Sequence, residues 1–177
     1  SGEADAMIIV SPDAGGSVRE GKWNGYFDMR GWNYEEFFFT EFLPMIEKEY
    51  RIKGDKAHRA IAGLSMGGGH TTAVTGLYPD LFDYVCPLSA AIVAPQGDRN
   101  SYIYQDLDAK LAVQFKKAPK LYWLACGNAD FLVNNNKEFM KKLDEKGYKY
   151  EYVETEGGHT WKNWRNYLTM FVPRLFK

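Results

Sequence analysis

Gly63-Leu64-Ser65-Met66-Gly67 stands between an apolar run, Arg59 to Ala62, and a helix-compatible segment from about Thr71 to Leu77. The order strand, tight turn, helix gives this Gly-x-Ser-x-Gly pattern its meaning. A serine hydroxyl is a poor nucleophile at its free pKa, so it must be held exposed, beside a base and close to donors that can take up oxyanion charge. A sharp strand-to-helix turn does this. The glycines two before and two after the serine let the backbone pass tightly, and the N–H of Met66 is expected to point where an oxyanion forms. Ser65 is therefore read as the tip of a nucleophile elbow. A phosphate loop would end in Gly-Lys-Ser/Thr where this chain has His70-Thr71-Thr72, and the Gly-x-Gly-x-x-Gly dinucleotide fingerprint is also absent.

A serine turn of this type needs a covered sheet around it, and the rest of the chain supplies one. Strand-like runs at Ala6–Ser11, Arg59–Ala62, Asp83–Leu88, Leu121–Cys126 and Tyr148–Thr155 alternate with helical periodicity. That alternation predicts an α/β fold, a mostly parallel sheet of about five strands with helices on both faces. Helices are expected from about Tyr34 to Tyr50, kinked or broken at Pro44, over Asp106–Lys116, over Asn136–Lys146 ended by Gly147, and over Trp164–Phe176 interrupted by Pro173. The strand at Tyr148–Thr155 alternates enough to lie at a sheet edge. At 177 residues the chain fits one domain, read as spanning 1–177. A net charge of −1 suggests neither nucleic acid nor an anionic membrane as partner, and no apolar run approaches the length of a spanning helix. Cys86 and Cys126 fall in runs expected at mid-sheet, where free thiols act as small apolar side chains.

The partners of Ser65 follow from order and placement. In doubly wound hydrolases they arrive in the order serine, acid, histidine. The chain has three histidines. His58 precedes the serine, at the wrong end of its strand, and His70 lies in the first turn of the elbow helix, where its ring should point away or pack locally. His159, on a Gly157-Gly158 turn after the last strand, can bring its imidazole over the serine. For the acid, Asp130 lies four residues beyond Cys126 in a loop after a strand's carboxyl end. Asp106 and Asp108 sit at a helix start, where N-capping is the preferred role, and Asp80 and Asp83 flank a turn. No metal or organic cofactor is needed for this chemistry.

With these residues in place, the chain resembles the Putative esterase family of α/β-hydrolases, the group that contains feruloyl esterase domains of plant-wall-degrading enzymes and esterase D. The matching pieces are Ser11-Pro12-Asp13, Phe42-Leu43-Pro44-Met45-Ile46-Glu47 with Tyr50-Arg51, and His58-Arg59-Ala60-Ile61-Ala62-Gly63-Leu64-Ser65-Met66-Gly67-Gly68-Gly69. Pro79-Asp80-Leu81-Phe82, Cys126-Gly127-x-x-Asp130 and Glu156-Gly157-Gly158-His159-Thr160-Trp161 complete it. The resemblance implies Ser65, Asp130 and His159 as nucleophile, acid and base, and an extracellular or periplasmic location. It also implies a feruloylated polysaccharide or other small ester as substrate, within a larger xylanolytic polypeptide. Asp13, Trp23, Trp32 and Trp161 are candidate substrate contacts. For these tryptophans and for Tyr26, stacking on a phenolic acyl group or sugar competes with ordinary packing.

One departure stands at the front. Such esterases carry a further strand, ending in a His-Gly-type loop that supplies the second oxyanion N–H, and nothing here matches it. In the family's strand order it would lie between Ala6–Ser11 and the Ser65 strand. Either the front of the domain is absent or Ala6–Ser11 pairs differently, and losing one donor is expected to slow the reaction by about 10²–10³. Besides feruloyl ester hydrolysis, the sequence leaves open hydrolysis of acetyl-xylan or another small ester or thioester. It also leaves open a non-catalytic carbohydrate-binding remnant of the fold.

Overall fold

The structure, a computed structural model, describes residues 2–11, 38–92 and 105–177. Within these residues β1 (Ala60–Leu64), β2 (Tyr84–Leu88), β3 (Leu121–Gly127) and β4 (Glu151–Thr155) form one sheet in the order β1-β2-β3-β4, every pair parallel. The helices are α1 (Leu43–Glu49), α2 (Met66–Leu77), α3 (Leu107–Lys116), α4 (Val133–Glu145) and α5 (Trp161–Phe171).

Parallel neighbours need crossovers, and crossovers are right-handed. Because the strand order advances in one direction, α2, α3 and α4 stack on one face of the sheet. The core there joins Val74, Leu111, Phe139 and Leu143 from these helices to Val85, Tyr122 and Leu124. The period of two along the strands sends the intervening side chains to the opposite face. There Tyr84, Cys86, Leu88, Trp123 and Ala125 pack against Trp164, Tyr167 and Phe171 of α5. Helices thus cover both faces, as the alternating pattern predicts. Cys86 and Cys126 are buried free thiols, and β4 lies at an edge.

Several boundaries differ for local reasons. A single π-type turn over Phe38–Phe42 gives way to α1 with Pro44 in its first turn, where a proline needs no N–H partner. α4 begins at Val133 rather than Asn136 and ends where Gly147 takes φ +68°, with the Tyr148 N–H reaching the Leu143 carbonyl at 2.9 Å. α5 begins at Trp161, three residues early. Asp106 does not cap α3. It adopts a left-handed φ of 54° with no side-chain capping bond, and Asp108 pairs with Lys142 at 3.0 Å.

The expected strand at Ala6–Ser11 is not formed. Ile8, Ile9 and Val10 are exposed, and only Met7 packs on the α5-side core. A strand exists through its ladder, and this segment pairs with none of the four described strands. The sheet described here therefore has four strands, not five.

Candidate active site

Each parallel strand delivers its loop to the same carboxyl edge of the sheet, and the three sequence-selected side chains stand there, after β1, β3 and β4. Ser65 ends β1 with φ 55° and ψ −117°, a conformation that costs a non-glycine residue on the order of 1–3 kcal/mol. The surroundings hold it in place. The Ser65 N–H donates to the Leu88 carbonyl (2.9 Å), and the Ser65 carbonyl accepts from the N–H groups of Gly68 (3.0 Å), Gly69 (3.3 Å) and Ala91 (2.9 Å). Met66 is the first residue of α2, where backbone N–H groups have no carbonyl one turn earlier.

The flanking glycines are not equivalent. A Cβ on Gly63 would lie 2.0 Å from the Gly67 carbonyl oxygen, and one on Gly68 would lie 2.4 Å from the Ala90 Cβ. One on Gly67 would meet nothing within 4 Å. The close passage that the motif suggests at positions 63 and 67 thus falls at 63 and 68.

Asp130 follows β3, with its side chain fully buried. Its Oδ1 accepts the Leu132 N–H at 2.8 Å, and its two oxygens lie 3.0 and 2.9 Å from His159 Nδ1. A carboxylate only accepts, so Nδ1 carries the proton and Nε2 is left as the basic nitrogen. Beneath the pair, burial and then the Asp130 charge push the Cys126 thiol up to about 12, which keeps it protonated and inert.

Residues that the sequence did not single out fix these loops. The Asn163 amide donates to the carbonyls of Glu156 (3.1 Å) and Gly158 (3.2 Å), clamping the turn that carries His159. Gly127 lets that turn come close, since a Cβ there would sit 2.1 Å from the Gly157 oxygen. The Asn136 amide donates to the carbonyls of Ala90 (3.0 Å) and Leu132 (2.8 Å), joining the loop after β2 to the Asp130 loop. The imidazole lies 4.8 Å from the Trp164 ring at 90° and 4.5 Å from Phe131. Trp164 in turn donates its indole N–H to Ser89 Oγ at 3.1 Å. Glycine in Cys126-Gly127-x-x-Asp130 was a visible signal. The two asparagines had none, because both lie outside the matched motifs and a bond to a backbone carbonyl leaves no mark in the sequence.

His70 is buried in α2, and burial lowers its pKa to about 4, so the ring is neutral near pH 7. His58 sits in a short 3₁₀ turn with its Nδ1 2.7 Å from Asp55. Trp161 is 65% exposed at the start of α5. Asp13, Trp23, Tyr26 and Trp32 lie outside the described residues. Among the described residues no group of three or more His, Cys, Asp or Glu could hold a metal ion.

A parallel sheet covered on both faces, with a strained serine turn opening a helix and an acid–histidine pair after later strands, defines an α/β-hydrolase. The Putative esterase family profile matches residues 1–175, and the chain belongs to that family of carboxylic-ester hydrolases. A solved structure of a ferulic acid esterase is 39% identical with a TM-score of 0.76, over 98% of this chain and 71% of that one. An endo-1,4-beta-xylanase/feruloyl esterase of Xylanibacter ruminicola is 29% identical over 177 residues, 99% of this chain and 22% of that protein. An acetyl esterase of Caldicellulosiruptor saccharolyticus is 30% identical over 163 residues, 76% of this chain and 60% of that protein. The chain therefore spans less than two thirds of either curated relative.

Proposed function

We propose that this chain is the esterase domain, residues 1–177, of a larger wall-degrading polypeptide, and that it releases ferulate from feruloylated plant polysaccharide. The observation that carries the hydrolytic part is the buried Asp130 carboxylate held on His159 Nδ1, which orients Nε2 as a base on the edge of the sheet where Ser65 stands. In the first step His159 Nε2 takes the Ser65 proton as Oγ bonds to the ester carbonyl carbon. The oxyanion is held by donors that include the Met66 N–H. Collapse breaks the bond to the alcohol oxygen, which leaves with the proton from His159. Water then repeats the sequence on the acyl-enzyme, releasing the acid and restoring Ser65.

The feruloyl part is supported by the names of the ferulic acid esterase and the xylanase/feruloyl esterase to which the chain is similar. A polymeric wall substrate also favours an extracellular or periplasmic location. The similarity to an acetyl esterase favours a second reading, deacetylation of a sugar.

The test is ferulate release from methyl ferulate, with acetate release from an acetylated sugar in parallel and Ser65→Ala as the blank. Ser65-dependent ferulate release exceeding acetate release is the expected outcome. Acetate alone would replace the first reading by the second. Folded protein that releases neither, and that a fluorophosphonate probe does not label at Ser65, would overturn both in favour of a binding remnant.

A further inference from the structure

We propose that Phe131 and Trp161 form a stacking surface for the sugar ring on the alcohol side of the scissile ester. This rests on the hydrolytic reading of the site. The direction follows from proton transfer: the departing alcohol oxygen receives its proton from His159, so the alcohol lies against the imidazole while the acyl group is bonded to Ser65. Side chains that surround His159 and reach solvent therefore meet the alcohol.

Two do. Phe131 directly follows Asp130, its ring lies 4.5 Å from the imidazole, and it is 75% exposed. Its backbone is fixed on both sides, since Asp130 and Leu132 are buried and joined by the bond from the Leu132 N–H to the carboxylate. Trp161 is two residues beyond His159, and its ring stands 5.2 Å from Trp164, the indole packed on the imidazole. They are the two most exposed aromatic side chains among the large apolar residues described. Such rings offer flat apolar faces that a ligand can cover. Neither carries charge. The C–H face of a neutral sugar is the complementary surface, and the alcohol of a feruloylated polysaccharide is a sugar.

The test compares kcat/KM for a feruloylated arabinoxylan oligosaccharide with that for methyl ferulate, whose alcohol cannot stack. Phe131→Ala and Trp161→Ala are each expected to lower the ratio of sugar ester to methyl ester about fivefold, the scale of one aromatic stacking contact. Phe131→Tyr and Trp161→Phe should preserve it. Ratios equal to wild type in both alanine variants would overturn the proposal. A second readout needs no turnover: saturation-transfer NMR of an unferuloylated arabinoxylan oligosaccharide on Ser65→Ala protein, with and without both aromatic truncations. Loss of the sugar signal supports the surface and an unchanged signal overturns it. If the wild type cleaves neither ester, the proposed activity fails while this binding measurement still decides the surface.

Discussion

At Asp130 the proposed chemistry depends on a carboxylate that can only accept. Asp130→Asn keeps shape and burial but offers His159 Nδ1 an amide, which can hold the wrong tautomer. The expected loss in kcat is about 10³–10⁴ with the thermal transition little moved, read by ester hydrolysis and calorimetry on the same sample. Trp164→Phe keeps a ring beside the imidazole but removes the N–H bound to Ser89, leaving a buried hydroxyl without that donor. A stability loss of about 1–3 kcal/mol by urea unfolding is expected, together with a fall in kcat as the imidazole loses its rigid neighbour. His70 gives a pH prediction. Its folded pKa, about 4, lies below the ordinary histidine value of 6.5, so the unfolded chain binds the extra proton between those values. Stability from this group is complete above about pH 6.5, falls as pH drops towards 4, and is level below that. Urea midpoints of His70→Gln should slope less steeply than wild type across that window.

Secondary-structure elements show why the motif alone could not say which glycines matter. A Cβ at Gly63 or Gly68 would overlap the Gly67 backbone or Ala90, whereas one at Gly67 would meet free space on the first turn of α2. Gly63→Ala and Gly68→Ala should each cost more than about 2 kcal/mol or prevent folding, because backbone must shift. Gly67→Ala should leave stability within about 1 kcal/mol of wild type or raise it, since alanine is the better helix former. Chemical denaturation of the three variants separates the two kinds of position. The helices themselves were legible in periodicity, in Pro44 and in Gly147, all signals that act within one turn of chain. The cap expected of Asp106 was not, because at a φ of 54° its side chain makes no capping bond to the helix.

For the molecule as a whole, the sheet divides apolar residues into those that hold the fold and those that do not. Leu124 at the centre of β3 is fully buried, and Leu124→Ala is expected to cost about 2–5 kcal/mol. Ile9 is 82% exposed, so Ile9→Ser should change stability by less than about 0.5 kcal/mol. Comparable losses at both positions would show that Ala6–Ser11 is a core strand after all. The α/β alternation, the strand–serine–helix turn and the order Ser65, Asp130, His159 were legible in the chain, because hydrophobic period, glycine and chain order are local properties written in neighbouring residues. Three-dimensional packing was needed to show that Ala6–Ser11 has no ladder among the described residues, that Asn136 and Asn163 tie the site loops together, and that Phe131 stands exposed beside His159. Each of these depends on what another part of the chain places alongside, and a residue's partner across the sheet leaves no mark on its own stretch of sequence.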